Sequence, residues 1–118
     1  MADIDILLVE EPISENNLRQ IAAKTFGDMV KAVVDLDSNL MAVGGELHSD
    51  EEAMLLDDGS NQSDVWGVNL YPGETGDDWV EFDAMINVRP SQGNRSRSVD
   101  DAAVRGRIRA VLARWITA

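Results

Sequence analysis

Two alternations of apolar and polar residues, at 65–71 and 79–89, constrain this chain more than any other feature. In the second, Val80, Phe82, Ala84, Ile86 and Val88 share one face by the two-residue period of a strand, and Trp79, Glu81, Asp83, Met85, Asn87 and Arg89 share the other. In the first, Trp66, Val68 and Leu70 lie opposite in sense to Val65, Gly67, Asn69 and Tyr71. Even pairing sets Leu70 against Val80, Val68 against Phe82 and Trp66 against Ala84; Tyr71 then faces Trp79, Asn69 faces Glu81 and Gly67 faces Asp83. A one-residue slip would mix the two sets, so an antiparallel hairpin in this register is expected, closed by the acidic loop 72–78.

The flanking segments extend this unit. Residues 4–9 read as a strand that Pro12 breaks. Ser14 is an N-cap for a helix whose stripe is Leu18, Ile21, Ala22 and Phe26, with Ile13 and Leu18 at staple spacing and Gly27 as the left-handed stop. Residues 30–36 and 40–47 read as a hairpin about Asp37, Ser38 and Asn39, and Gly44-Gly45 marks a bulge or a close backbone approach. Ser49 with Glu52 at N3 reads as a capping box for a short helix ending at Gly59, the alternative being a strand at 53–56. After Pro90 a polar loop leads to Ser98, read as the cap of a last helix with the stripe Val104, Ile108, Val111, Leu112 and Trp115. The expected fold is a single α+β domain over residues 1–118. It has a mostly antiparallel sheet of four to five strands, the N- and C-terminal helices on one face, and a short middle helix. A right-handed crossover could add the first strand in parallel.

A chain of 118 residues buries roughly two-thirds of its unfolded surface and needs no covalent staple. It has no cysteine, which removes disulfides, thiolate nucleophiles and thiolate metal sites. The start, MADIDILLVEEP, lacks the positive head and long apolar core of a secretory signal, and no stretch is long enough to span a membrane. A cytoplasmic location with no membrane partner is expected. Charge is uneven: residues 1–88 hold 3 basic and 20 acidic side chains, residues 89–118 hold 7 arginines and 2 acids, and the net is -12. Such an acidic body repels phosphate backbones and argues against nucleic acid, while the basic quarter suits a small anion or pairs with the body itself.

Three groups of residues carry candidate chemistry. Glu46 and His48 share a strand face by spacing, and a lone His without cysteine falls short of the three ligands a zinc site wants, so neither metal nor cofactor is expected; His48 remains an acid–base candidate. Glu81 and Asp83 lie about 6–7 Å apart along a strand, a spacing at which paired carboxylates can do acid–base work, although solvated sheet faces look the same. Arg89, Gln92, Asn94, Arg95 and Arg97 crowd one loop ahead of a helix, a donor-rich setting for an anion. Neither a nucleotide-binding glycine fingerprint nor a nucleophile elbow occurs.

The motifs FGDMVKAVVD, GGELHSDEE, DVWGVNLYP and INVRPSQGNRSR together resemble a family of small prokaryotic proteins known as a domain of unknown function. The resemblance spans residues 11–115 and implies a single soluble domain without implying a mechanism. Three functions are therefore expected to compete. One is an interaction protein, such as a homodimer through the Tyr71 and Trp79 side. Another is a binding module for a small anion at loop 89–97. The last is a phosphodiester-type hydrolase using His48, an acid from Glu81 or Asp83, and the arginines.

Overall fold

The computed structural model describes residues 6–117, and its sheet is centred on β3 (Val30–Asp35), which pairs antiparallel with β5 (Val65–Leu70) on one side and β4 (Leu40–Val43) on the other. With β1 (Leu7–Val9) and β6 (Val80–Glu81) the order is β1-β4-β3-β5-β6, and every pairing is antiparallel. The expected beginning of the first strand at Ile4 lies outside the described residues. β1 does not add in parallel: it runs in the same direction as β3, but β4 inserts between them and takes β1 as an antiparallel neighbour, Leu8 opposite Ala42.

Helices cover both faces. On the first, Leu18 and Ala22 of α1 (Glu15–Lys24) and Ile108, Val111 and Leu112 of α3 (Ala102–Trp115) pack on Val30, Ala32, Val34, Trp66, Val68 and Leu70. On the second, Leu55 of α2 (His48–Asp57) joins Val33, Ala42 and Val65. Full burial of such side chains contributes roughly 1.5–3 kcal/mol each. α2 thereby covers much of the face opposite α1 and α3.

Ser14 caps α1 as its sequence predicts, accepting from Asn17 N–H at 3.0 Å while Asn17 completes the capping box, and Gly27 ends the turn at φ 92°. Phe26, expected in the buried stripe, is 42 % exposed because the helix stops at Lys24. The two later caps move. α2 begins at His48 with Leu47 as N-cap, not at Ser49, because Glu51 turns into the interior to accept from Gly45 N–H at 2.9 Å. α3 begins after Asp101, whose side chain accepts from Ala103 N–H at 2.8 Å, because Asn94 holds the carbonyls of Ser96 and Ser98 in the preceding loop. A two-residue parallel pair, β2 (Ile13–Ser14) with β7 (Ile116–Thr117), ties the end of α3 to the start of α1; it is too short to leave a periodic trace in sequence.

The 65–89 hairpin forms in the expected register, Leu70 opposite Val80 and Asn69 opposite Glu81, and then stops. Ala84 N–H donates to Arg97 O at 3.0 Å instead of continuing the ladder, and a 3-10 turn follows at Met85–Asn87. The expected common apolar face therefore divides. Val80 and Phe82 join the first-face core, Ile86 joins the second, and Val88 is 37 % exposed. Ala84 packs directly on Gly67, where an added Cβ would lie 2.7 Å from that of Ala84.

Candidate functional site

Loop 89–97 is built around Asn94, which is buried. Its amide donates to the carbonyls of Asn87 (2.7 Å), Ser96 (3.1 Å) and Ser98 (2.7 Å), and its Oδ1 accepts from Asp100 N–H at 2.8 Å. Backbone bonds between Arg89 and Asn94 close a turn over Pro90–Gln92, with Gly93 supplying φ 82°. The Arg89 guanidinium lies 4.3 Å from the centre of the Trp66 ring and donates to the carbonyls of Gln62 and Val65. Gln92 Nε2 donates to Ser63 O at 3.1 Å. Burial lowers the Arg89 pKa, against the opposing fields of Glu52 and Asp64. The loop is thereby clamped to the segment leading into β5.

Between this clamp and the start of α3 lies a cleft of about 530 Å³. Leu36, Trp66, Val99 and Val104 supply apolar walls; Asp64, Asp100, Asp101 and Arg107 supply the charge. Asp100 accepts from Ser96 Oγ at 2.8 Å, and Arg107 reaches Leu36 O at 3.4 Å. The remaining helix arginines rest on structural partners. Arg105 donates to Val99 O at 2.6 Å, Arg109 covers Phe82 at 5.2 Å, and Arg114 covers Trp115 at 5.3 Å.

A second polar group gathers at the end of β5 beside the first turn of α2. Asn69 Nδ2 donates to Glu81 Oε1 at 2.8 Å, Tyr71 O–H donates to the same oxygen at 3.1 Å, and Arg97 Nε pairs with Asp83 Oδ1 at 2.7 Å. The buried His48 ring places Nε2 2.9 Å from Val68 O; a carbonyl only accepts, so Nε2 carries the proton. Burial lowers the His48 pKa, helped by Lys31 and Arg97 and opposed by the Val68 carbonyl and Asp83. Burial also raises the Tyr71 pKa, reinforced by Glu81.

The structure thus sorts the sequence candidates into separate places. His48 lies within Coulombic reach of Asp83 and Arg97, and Glu81 joins that group through Asn69. Arg89, Gln92 and Asn94 belong to the clamp on the other side of the loop, with side chains bonded internally. Arg95 and Glu46 are exposed. The five loop donors therefore do not converge on one anion seat, because Arg97 faces Asp83 while Arg89 faces Trp66. Tyr71 and Trp79 do not form one outward pair either: Tyr71 bonds Glu81, and Trp79 packs against the first-face core. Asp64 and Trp66 of the cleft, and Asn69 of the polar group, join the sites without being among the sequence candidates; a polar position inside an apolar strand, such as Asn69, is the signal that marks one of them. Among the described residues, no three of His, Asp or Glu are grouped to hold a metal ion, and no helix is long and apolar enough to cross a membrane.

Compared with known proteins, residues 7–115 match the family model described as Protein of unknown function (DUF5674). No curated protein and no solved structure matches the chain.

Proposed function

The chain belongs to this family of unknown function, and from its geometry we propose that it is a binding domain whose cleft between loop 89–97 and α3 takes a cationic nitrogen, an alkylammonium or guanidinium group on a short apolar stem. One observation carries the reading: three carboxylates, Asp64, Asp100 and Asp101, line the cleft beside a single arginine, Arg107, over walls of Leu36, Trp66, Val99 and Val104. The charge that would have favoured an anion, that of Arg89, is turned inward onto Trp66 and two carbonyls. A net charge of -12 adds a long-range attraction for cations.

Titration with spermidine and with a short lysine- or arginine-containing peptide, followed by amide and indole chemical shifts, tests this. Residues around Trp66 should shift, and Asp64→Asn should weaken binding several-fold at low salt. Shifts at the same residues with inorganic phosphate or succinate, and none with the amines, would overturn the cationic reading in favour of the anion expected from sequence.

A second reading, a phosphodiester-type hydrolase, draws on the proximity of His48 to Asp83 and Arg97 and on the fixed Nε2–H tautomer. It requires turnover of bis(p-nitrophenyl) phosphate that His48→Gln abolishes; a rate no higher than buffer sinks it.

A further inference from the structure

The first turn of α2 meets the backbone beneath it through two ionisable side chains seated over glycines, one in β5 and one just past the end of β4. Glu51 lies over Gly45, where an added Cβ would sit 3.0 Å from its Cγ, and His48 lies over Gly67, where an added Cβ would sit 3.1 Å from its Cδ2. Both side chains bond the backbone beneath: Glu51 Oε2 accepts from Gly45 N–H, and His48 Nε2 donates to Val68 O. Glu51 is wholly buried, and its Oε1 has no partner among the described residues. Leu47 gives the helix no side-chain cap, so Leu55 and these two pegs dominate its hold on the sheet. We propose that α2 is a proton-dependent cover of the sheet's second face, seated by Glu51 and His48 in the notches at Gly45 and Gly67 and released as rising pH strips the proton from Glu51.

The surrounding charges are few. β3 presents Lys31 and Asp35 on this face, and β4 and β5 carry no ionisable residue. The segment after β6 contributes Asp83, Arg89 and Arg97, and α2 itself adds Asp50 and Glu52. For Glu51, burial dominates and raises the carboxyl well above its ordinary 4.5, with Asp50 in the same sense and the Gly45 N–H and Lys31 opposed. A lifted helix returns Glu51 to its ordinary value, so opening gains about tenfold per pH unit between 4.5 and the raised value. His48 acts in the other sense. Its closed-state value is below 6.5, so opening gains as pH falls beneath 6.5 and is unaffected by His48 above it. Below 6.5 the two slopes oppose each other, and any pH dependence of opening above 6.5 belongs to Glu51 and not to His48. Release uncovers Val33, Ala42 and Val65.

Native-state hydrogen exchange from about pH 5 to 9, corrected for intrinsic rates, reads the opening of α2 against the β3 and β5 amides as an internal standard. In the intact protein α2 protection should fall as pH rises toward the raised Glu51 value while the strands hold. Glu51→Gln should flatten that fall, and His48→Gln should extend it below 6.5. Leu55→Ala should lower α2 protection equally at every pH. The proposal fails if α2 amides follow the strands at all pH, or if Glu51→Gln remains as pH-sensitive as the parent. Should that variant not fold, a carbon-13 titration placing the Glu51 carboxyl at its ordinary 4.5 in the intact protein would overturn it equally.

Discussion

The Asn87 carboxamide pairs with both peptide groups of Gly67, accepting from its N–H at 2.9 Å and donating to its carbonyl at 3.0 Å. A side-chain amide thus takes the place a neighbouring strand would occupy after β6 ends at Glu81. The same Nδ2 donates to Arg97 O at 3.1 Å, so one buried residue closes the sheet edge and fastens the loop that follows. An unpaired buried peptide group is costly, which is why the ladder can stop only where a substitute is supplied.

Asn87→Asp tests this substitution of side chain for strand. The carboxylate can still accept from Gly67 N–H, but it turns an acceptor toward the carbonyls of Gly67 and Arg97. A loss of about 2–4 kcal/mol in urea unfolding at neutral pH is expected, from two broken bonds with buried groups left unpaired. A change below the error of the measurement would show that water serves these groups as well.

Asp35 should make the protein acid-sensitive. Burial alone would raise its pKa, but bonds from Ser38 and Ser60 and from the N–H of Asp37 and Ser38 prevail and hold it below 3.8. With the folded value depressed, its stabilisation is present above 3.8 and is lost as pH falls through the lower folded value. Asp35→Asn should cost about 1–3 kcal/mol at pH 7, since an amide group would then meet hydroxyl donors. The difference from the parent should shrink below 3.8; a constant difference down to acid unfolding contradicts the assignment.

Arg89→Lys should not behave as a conservative change. A lysine ammonium lacks the planar fork that lies on Trp66 while donating to two carbonyls and facing Gln92 Oε1. About 1–3 kcal/mol of stability should be lost, with a red shift of Trp66 emission as the ring gains water. Equal stability and unchanged emission would mean that Arg89 is not the clamp.

Local pattern carried much of the architecture. The register of Leu70 with Val80, the Ser14 cap and the placement of the first and last helices on one face follow from periods of two and 3.6 residues, which depend only on neighbours along the chain. The caps fall elsewhere than Ser49 and Ser98 because side chains inside the helix and in the preceding loop compete for the backbone. Glu51 finds Gly45, and Asn94 collects the carbonyls of Ser96 and Ser98, so the helices start where those side-chain bonds to nearby backbone allow.

The candidate sites depended still more on contacts between distant residues. Sequence alone determined which residue types lie near one another along the chain: the donors of loop 89–97, the acids of the hairpin and the single histidine. It could not determine where each side chain points once β6 ends after two residues, because alternation assigns faces only while a strand continues. Tertiary packing decided the rest. Arg89 turned to Trp66 and Arg97 to Asp83, while His48 settled over Gly67 of β5 and Glu51 over Gly45 just past the end of β4, since buried polar groups must satisfy their bonds wherever the folded chain offers a partner.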